Sequence, residues 1–222
     1  YRRQQESSFP FKVCRRLGLA NTYPFYDFYN RPHTTLSKAK FLLGDRIYSE
    51  LYVFAVMRDP VDWLISCYKF FMLGKSVVKG NRPSSITTFS DYIDAMIALD
   101  HLKPCQSLLL INETGALLVD EIGRFDSLLS FCSRISSTAG LDPISLPHLN
   151  TNAYTSDNSA IDVESNRPLI NKIRREWALD FELWDLIQVR SSALRHCSLS
   201  YPSFSHTTLI NYDPWGMFDW QS

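Results

Sequence analysis

At 222 residues with 45% apolar content, the chain has the composition of a globular protein and can bury a core as one domain spanning 1–222. Its 23 basic and 23 acidic residues cancel, which argues against a general nucleic-acid binder or a strong polyanion groove and leaves room for a local basic pocket. No apolar run is long enough to span a membrane, and no signal peptide is recognisable.

In chain order, residues 7–18 read as a first helix, interrupted early by Pro10 and stopped by Gly18. Residues 21–32 form an aromatic loop leading to His33. A short helix is expected over 36–43, ending at Gly44. Residues 51–57, with Val53, Phe54 and Val56, suit a strand covered on both faces, as in a parallel sheet. Arg58-Asp59-Pro60 ends that strand abruptly. Asp59 is placed to cap a following helix and Pro60 to open it. Val61, Leu64, Ile65, Tyr68 and Met72 give that helix a core-facing stripe, with Asp59, Asp62 and Ser66 on another face. Residues 74–85 lack periodicity and read as a loop beside this helix. Residues 89–99 predict an amphipathic helix and residues 117–122 a second core strand. Asp126 is expected to cap a helix through Ser136, stopped by Gly140. Residues 166–189 predict one long helix with Pro168 near its start and Ile173, Trp177, Phe181 and Trp184 as its apolar stripe. The tail, 198–222, is aromatic and irregular.

The strand tip at Arg58 is the chemically informative feature. It puts a guanidinium at the carboxyl end of a buried strand and the Ser66 hydroxyl on the next helix, where both could grip one phosphate. Ligands of open α/β sheets bind at that edge. An alternative stands beside this reading: Arg58 pairs with a neighbouring carboxylate and Ser66 is a tolerated helix residue. Arg124 is a second strand-end arginine with the same two readings, a ligand contact or a pair with Asp126 or Glu121.

Other chemistries find little support. Cys14, Cys67, Cys105, Cys132 and Cys197 are odd in number and lack Cys-x-x-Cys spacing, so a structural zinc site is not expected. Cys67 and Cys132 fall in helix patterns as small core residues; reduced thiols are expected, or one or two disulfides in a secretory compartment. Neither Gly-x-x-x-x-Gly-Lys-Ser/Thr, nor Gly-x-Gly-x-x-Gly, nor His-Glu-x-x-His occurs, which argues against a P-loop kinase, a dinucleotide fold and a zincin.

The segment with Arg58, Asp59, Pro60, Ser66 and Tyr68 resembles the 3′-phosphate-binding motif of sulfotransferases, particularly the membrane-type carbohydrate sulfotransferases and their bacterial relatives. Trp63 departs from it, standing where many relatives carry a second arginine. The resemblance continues in order along most of the chain: His33 before the strand, residues 101–125 similar to a His-x-x-Pro-(x)-Gln segment followed by a strand and Gly-Arg-Phe, and LPHLNTN at 146–152. At the N-terminus the family's Lys-Thr-Gly/Ala-Gly-Thr-Ser loop is matched by a chain starting YRRQQESSF. The register puts Arg3 at the lysine, Gln5 and Glu6 at small positions, and Ser7-Ser8 at the Thr-Ser pair. The first strand of that pattern is expected to be missing or reduced to Tyr1, by truncation or divergence.

The resemblance implies an α/β fold with a P-loop-NTPase-like central parallel sheet flanked by helices. It implies transfer of a sulfuryl group from 3′-phosphoadenosine 5′-phosphosulfate (PAPS) to an acceptor hydroxyl, on a saccharide, without a metal. His33 would be the base, as histidine titrates near neutral pH. Arg3 and the amides around Ser7 and Ser8 would meet the leaving phosphate, with Gln5 and Glu6 in the same loop and Lys12 as substitute for Arg3. Arg58 and Ser66 would hold the 3′-phosphate, and Arg124 would approach the nucleotide. His101, Gln106 and residues 148–150 are candidate acceptor contacts. A cytoplasmic location is expected, or the Golgi lumen if an N-terminal anchor was removed. The glycine-free RRQQESSF leaves a second reading open: an inactive relative that binds the nucleotide without transferring from it.

Overall fold

The computed structural model describes residues 35–72, 86–99, 103–142, 166–189, 192–195 and 197–200. These residues form a mixed α/β arrangement of seven α-helices and a two-stranded parallel sheet. The elements are α1 (Leu36–Leu43), α2 (Asp45–Glu50), β1 (Phe54–Met57), α3 (Pro60–Met72), α4 (Phe89–Ala98), β2 (Glu121–Arg124), α5 (Leu128–Thr138), α6 (Arg167–Glu176) and α7 (Ala178–Val189). Short 3₁₀ turns occupy Ser107–Leu109 and Phe125–Ser127.

Helix α1 falls where its pattern predicted. The Thr35 side chain accepts from the Lys38 amide at 3.2 Å, and Gly44 ends the helix at φ 77°. The next helix, α2, was not expected. It buries Tyr48, whose hydroxyl donates to the Leu118 carbonyl at 2.7 Å.

Strand β1 is shorter than the predicted 51–57. Leu51 caps α2, and the Val53 amide donates to the Asp120 carboxylate at 2.7 Å rather than joining the ladder. The sheet pairs Phe54, Ala55, Val56 and Met57 with Glu121, Ile122, Gly123 and Arg124. Met57 and Ile122 share one buried cluster with Leu179, Leu183 and Ile187, so α7 covers that face. On the other face Phe131 of α5 meets Phe54 edge-on at 6.0 Å and lies over Gly123. Phe54 and Val56 remain exposed there, so the expectation of a strand covered on both faces holds for one face only.

Helix α3 follows its sequence closely. Asp59 Oδ1 accepts from the Val61 and Asp62 amides at 2.9 and 3.1 Å, and Pro60 opens the helix. Of the predicted stripe, Leu64 and Tyr68 are buried, while Val61, Ile65 and Met72 pack half-buried against them. Cys67 and Phe71 complete the buried line. This core continues into Phe89, Tyr92, Ile93 and Met96 of α4 and into Ile173, Trp177 and Phe181. A capping box opens α4: Thr88 accepts from the Asp91 amide and Asp91 accepts from the Thr88 amide. The Thr88 and Thr87 amides and hydroxyls hold the Asp91 carboxyl down at about 2.

Three predicted elements need correction. The second strand is Glu121–Arg124, not 117–122: the Leu117 and Leu118 amides donate to the Cys197 and Leu110 carbonyls and so do not join β1. Asp126 does not cap α5. It lies in the 3₁₀ turn before the helix, and Ser127 stands at the N-cap without a side-chain bond, although Gly140 follows the helix as expected. The long helix over 166–189 is two helices that break at Trp177. That indole is buried and donates to the Pro104 carbonyl at 2.7 Å, while Asp180 turns into the 105–107 segment.

Candidate functional site

Because the strands are parallel, Arg58 and Arg124 emerge at the same edge of the sheet. Met57 pairs with Arg124, and Arg58 is the next residue. This carboxyl-end edge is where α/β sheets receive ligands. Helix α3 starts immediately beyond it. Its Val61 and Asp62 amides are already bonded to the Asp59 cap, so an anion here would rely on side chains more than on the helix terminus.

The main chain of Arg58 is clamped on both sides. Its N–H donates to Gln106 Oε1 at 3.0 Å, and its carbonyl accepts from Gln106 Nε2 at 2.9 Å. The guanidinium carbon stands 5.1 Å from the centre of the Phe125 ring. That contact contributes on the order of 0.5–1 kcal/mol at a partly exposed site. Arg58 Nε, like Arg124 Nε, is buried without a hydrogen-bond partner among the described residues. None of the carboxylates among the described residues forms an ion pair with Arg58, so the carboxylate-pairing alternative is not the arrangement found there. The result is a cation with a positioned backbone, an aromatic neighbour and no protein counter-charge in that set. Such a group suits the paired donors that a phosphate accepts.

Arg124 is arranged differently. Its guanidinium bonds to Asp126 and Gln188 and lies 5.0 Å over the Trp184 ring. Asp126 is one of the two carboxylates expected as its partner. The guanidinium bond holds the Asp126 carboxyl below its ordinary range. Glu121, the other candidate, is buried and pairs instead with Arg134, while accepting from the Tyr52 hydroxyl at 2.6 Å.

Beneath Arg58 lies an element that sequence reasoning missed. Asp180, in the first turn of α7, is fully buried. Its Oδ2 accepts from the Gln106 amide at 3.0 Å. Its Oδ1 accepts from the Ser107 amide at 2.8 Å, from Cys105 Sγ at 3.0 Å, and from the Ser107 hydroxyl. Burial pushes this carboxyl up, and the bonds from Cys105, Ser107 and Gln106 oppose the shift. One signal was present: the helix neighbours of Asp180 three and four residues away include Trp177, Leu183 and Trp184, so it falls on an apolar face. A carboxylate on a buried face needs built-in donors. Gln106, a candidate acceptor contact in the sequence, serves here as the clamp on Arg58.

Ser66 lies half-buried on α3, the helix that follows Arg58. Tyr68 turns into the core and donates to the Thr87 carbonyl at 3.0 Å, tying α3 to the entry of α4. Trp63 packs half-buried against the same core. Cys67 is buried beside them, and burial pushes its thiol up, which suppresses the nucleophilic thiolate. Cys132 is only half-buried.

Arg3, Gln5, Glu6, Ser7, Ser8, Lys12, His33, His101, residues 148–150 and the 74–85 loop lie outside the described residues. Among the described residues no group of three His, Cys, Asp or Glu side chains could hold a metal ion, and no helix is long and apolar enough to cross a membrane. Comparison with family models, curated proteins and solved structures gave no match to the chain.

Proposed function

We propose that this chain is a PAPS-dependent sulfotransferase acting on a hydroxyl of a saccharide acceptor. The observation that carries the reading is Arg58: a guanidinium at the carboxyl end of a parallel strand, with its main chain clamped and without a carboxylate partner among the described residues. Arg58 and Ser66 would bind the 3′-phosphate of the donor. The two observed strands would be neighbours in a larger P-loop-like central sheet. Arg3 and the amides near Ser7 and Ser8, with Gln5 and Glu6 in the same loop, would face the 5′-phosphosulfate. His33 would take the proton of the acceptor hydroxyl as its oxygen attacks sulfur. The bond from sulfur to the bridging oxygen of the donor then breaks, and adenosine 3′,5′-bisphosphate leaves with that electron pair. Charge growing on the leaving phosphate would be met by Arg3.

Titration calorimetry with adenosine 3′,5′-bisphosphate tests the binding half of this reading. Arg58→Ala is expected to weaken binding by roughly 10- to 150-fold, the equivalent of ~1.5–3 kcal/mol for hydrogen bonds to a charged group. Equal affinity in the two proteins would remove Arg58 from the site. Sulfate transfer to saccharide acceptors is measured separately. The glycine-free segment at residues 3–8 favours a second reading, a nucleotide-binding relative without transfer, and bisphosphate binding with no turnover on any acceptor would select it.

A further inference from the structure

Arg58 and Gln106 are 48 residues apart, and Gln106 and Asp180 a further 74. Three distant parts of the chain therefore converge behind one guanidinium. Gln106 contacts Arg58 only through the main chain, with its side-chain oxygen accepting and its side-chain nitrogen donating. Such a two-point clamp sets where the Arg58 Cα sits and in which direction its side chain leaves the strand. The clamp is itself seated from below, because the Gln106 amide rests on Asp180 Oδ2, and its neighbours Cys105 and Ser107 rest on Oδ1. Gln106, Ser107 and Asp180 are all buried, so water does not replace a lost partner easily.

We infer that Asp180, acting through Gln106, is a positioning residue that holds Arg58 in the posture from which its guanidinium meets a phosphate. The inference deepens the proposed phosphate site and rests on it. The stereochemistry is specific. Each oxygen of Asp180 serves one donor that cannot reverse, the Gln106 N–H at Oδ2 and the Ser107 N–H at Oδ1, whereas the Cys105 thiol and Ser107 hydroxyl can turn to accept. In Asp180→Asn the amide NH₂ therefore faces one of these two backbone N–H groups, donor against donor, and the seat beneath the clamp is weakened while side-chain volume is kept.

The test reads the clamp and the ligand separately. Hydrogen exchange of the Arg58 amide reports its bond to Gln106. Asp180→Asn and Gln106→Leu are each expected to speed that exchange by at least roughly tenfold, a local opening confined to this segment. Amides of α4 are expected to keep their wild-type protection. Both variants are also expected to weaken adenosine 3′,5′-bisphosphate binding by roughly tenfold, about one hydrogen bond's worth of ordering. Gln106→Glu, which keeps the acceptor for the Arg58 amide, is expected to restore most of the slow exchange. Wild-type exchange at Arg58 in Asp180→Asn would overturn the inference, as would fast exchange with unchanged bisphosphate affinity. Should Asp180→Asn fail to fold, Gln106→Leu gives the same two readings. A wild-type protein that does not bind the bisphosphate would sink the proposed function, whereas an unchanged Arg58 amide would sink the relay alone.

Discussion

Arg58 and Arg124 stand at the ends of two paired strands, on one edge of one sheet, yet the protein treats them in opposite ways. Arg124 is tied at its head: Asp126 and Gln188 take its terminal nitrogens and Trp184 lies under the guanidinium, although its Nε, like that of Arg58, has no partner among the described residues. Arg58 is satisfied at its root: Gln106 grips the backbone, and the head meets only the Phe125 ring among the contacts found. A charge tied at the head stabilises its own neighbourhood and has few donors left for anything else. A charge tied at the root is oriented without being neutralised, which is the preorganisation a binding site needs. If Arg58 binds phosphate as proposed, the end by which the protein holds an arginine separates a structural one from a functional one.

Arg124 stays in place only if the β2 end is rigid, and Gly123 is where that rigidity can be broken. A Cβ built there would fall far inside contact distance of Phe131 Cγ, Cδ1 and Cδ2. Gly123→Ala must push α5 outward or bend β2, so a loss of roughly 1–3 kcal/mol of unfolding free energy is expected, as for other overpacked sites. Urea denaturation measures it. An unchanged midpoint would mean that Phe131 swings aside freely and that the β2 end is as compliant as a loop.

A second pair, Asp91 and Asp180, carries the same contrast into carboxylates. Asp91 sits at an exposed cap whose donors favour its ionised form, and its pKa is lowered to about 2. Its folded value lies below its unfolded value of about 3.9, so its contribution is present above pH ~4 and is lost as the pH falls through about 2. Asp180 has the opposite sign. Burial raises its folded pKa above the unfolded value, so the stability it contributes is full below the unfolded value of about 3.9 and is lost as the pH rises through the folded value. Thr88→Ala removes one side of the capping box and is expected to cost about 1 kcal/mol near neutral pH. The penalty should shrink between pH 4 and pH 2, because the Thr88 hydroxyl is itself one of the groups that hold the Asp91 carboxyl down, and that share is lost once Asp91 is protonated. Stability curves for the two proteins across that window check the sign. A penalty that grows toward low pH would show that Asp91 is not what the cap holds.

How much of this was legible in the sequence follows from where each partner lies. Helices α1, α3 and α4 were readable because their signals are local: Gly44 ends α1, Asp59 bonds amides two and three residues on, and the apolar period of α4 lies within its own turns. The start of β2 was not, because the amides of Leu117 and Leu118 find Cys197 and Leu110. The break at Trp177 was also hidden. The apolar period runs through it unchanged, and the cause is the bond to Pro104 and the burial of Asp180 against residues 105–107. Arg58 and Arg124 looked alike as strand-end arginines. What separates them is Gln106 in one case and Asp126 with Gln188 in the other; Asp126 is two residues away and was foreseen, whereas Gln106 and Gln188 are distant in the chain.

The smallest expected effect is the most discriminating. Arg124→Ala deletes an exposed ion pair, a contact to Gln188 and a stack on Trp184. Exposed pairs of this kind contribute ~0.2–1 kcal/mol, so the urea midpoint should fall only slightly. The Asp126 carboxyl, no longer held down by its partner, should return toward the usual carboxylate range, which a titration followed by NMR would record. Bisphosphate affinity should stay close to wild type, because the donors of Arg124 are turned to Asp126 and Gln188. A loss of affinity as large as that of Arg58→Ala would mean that ligand pulls Arg124 from Asp126. Both arginines would then belong to the site, and the end by which an arginine is held would no longer tell its role.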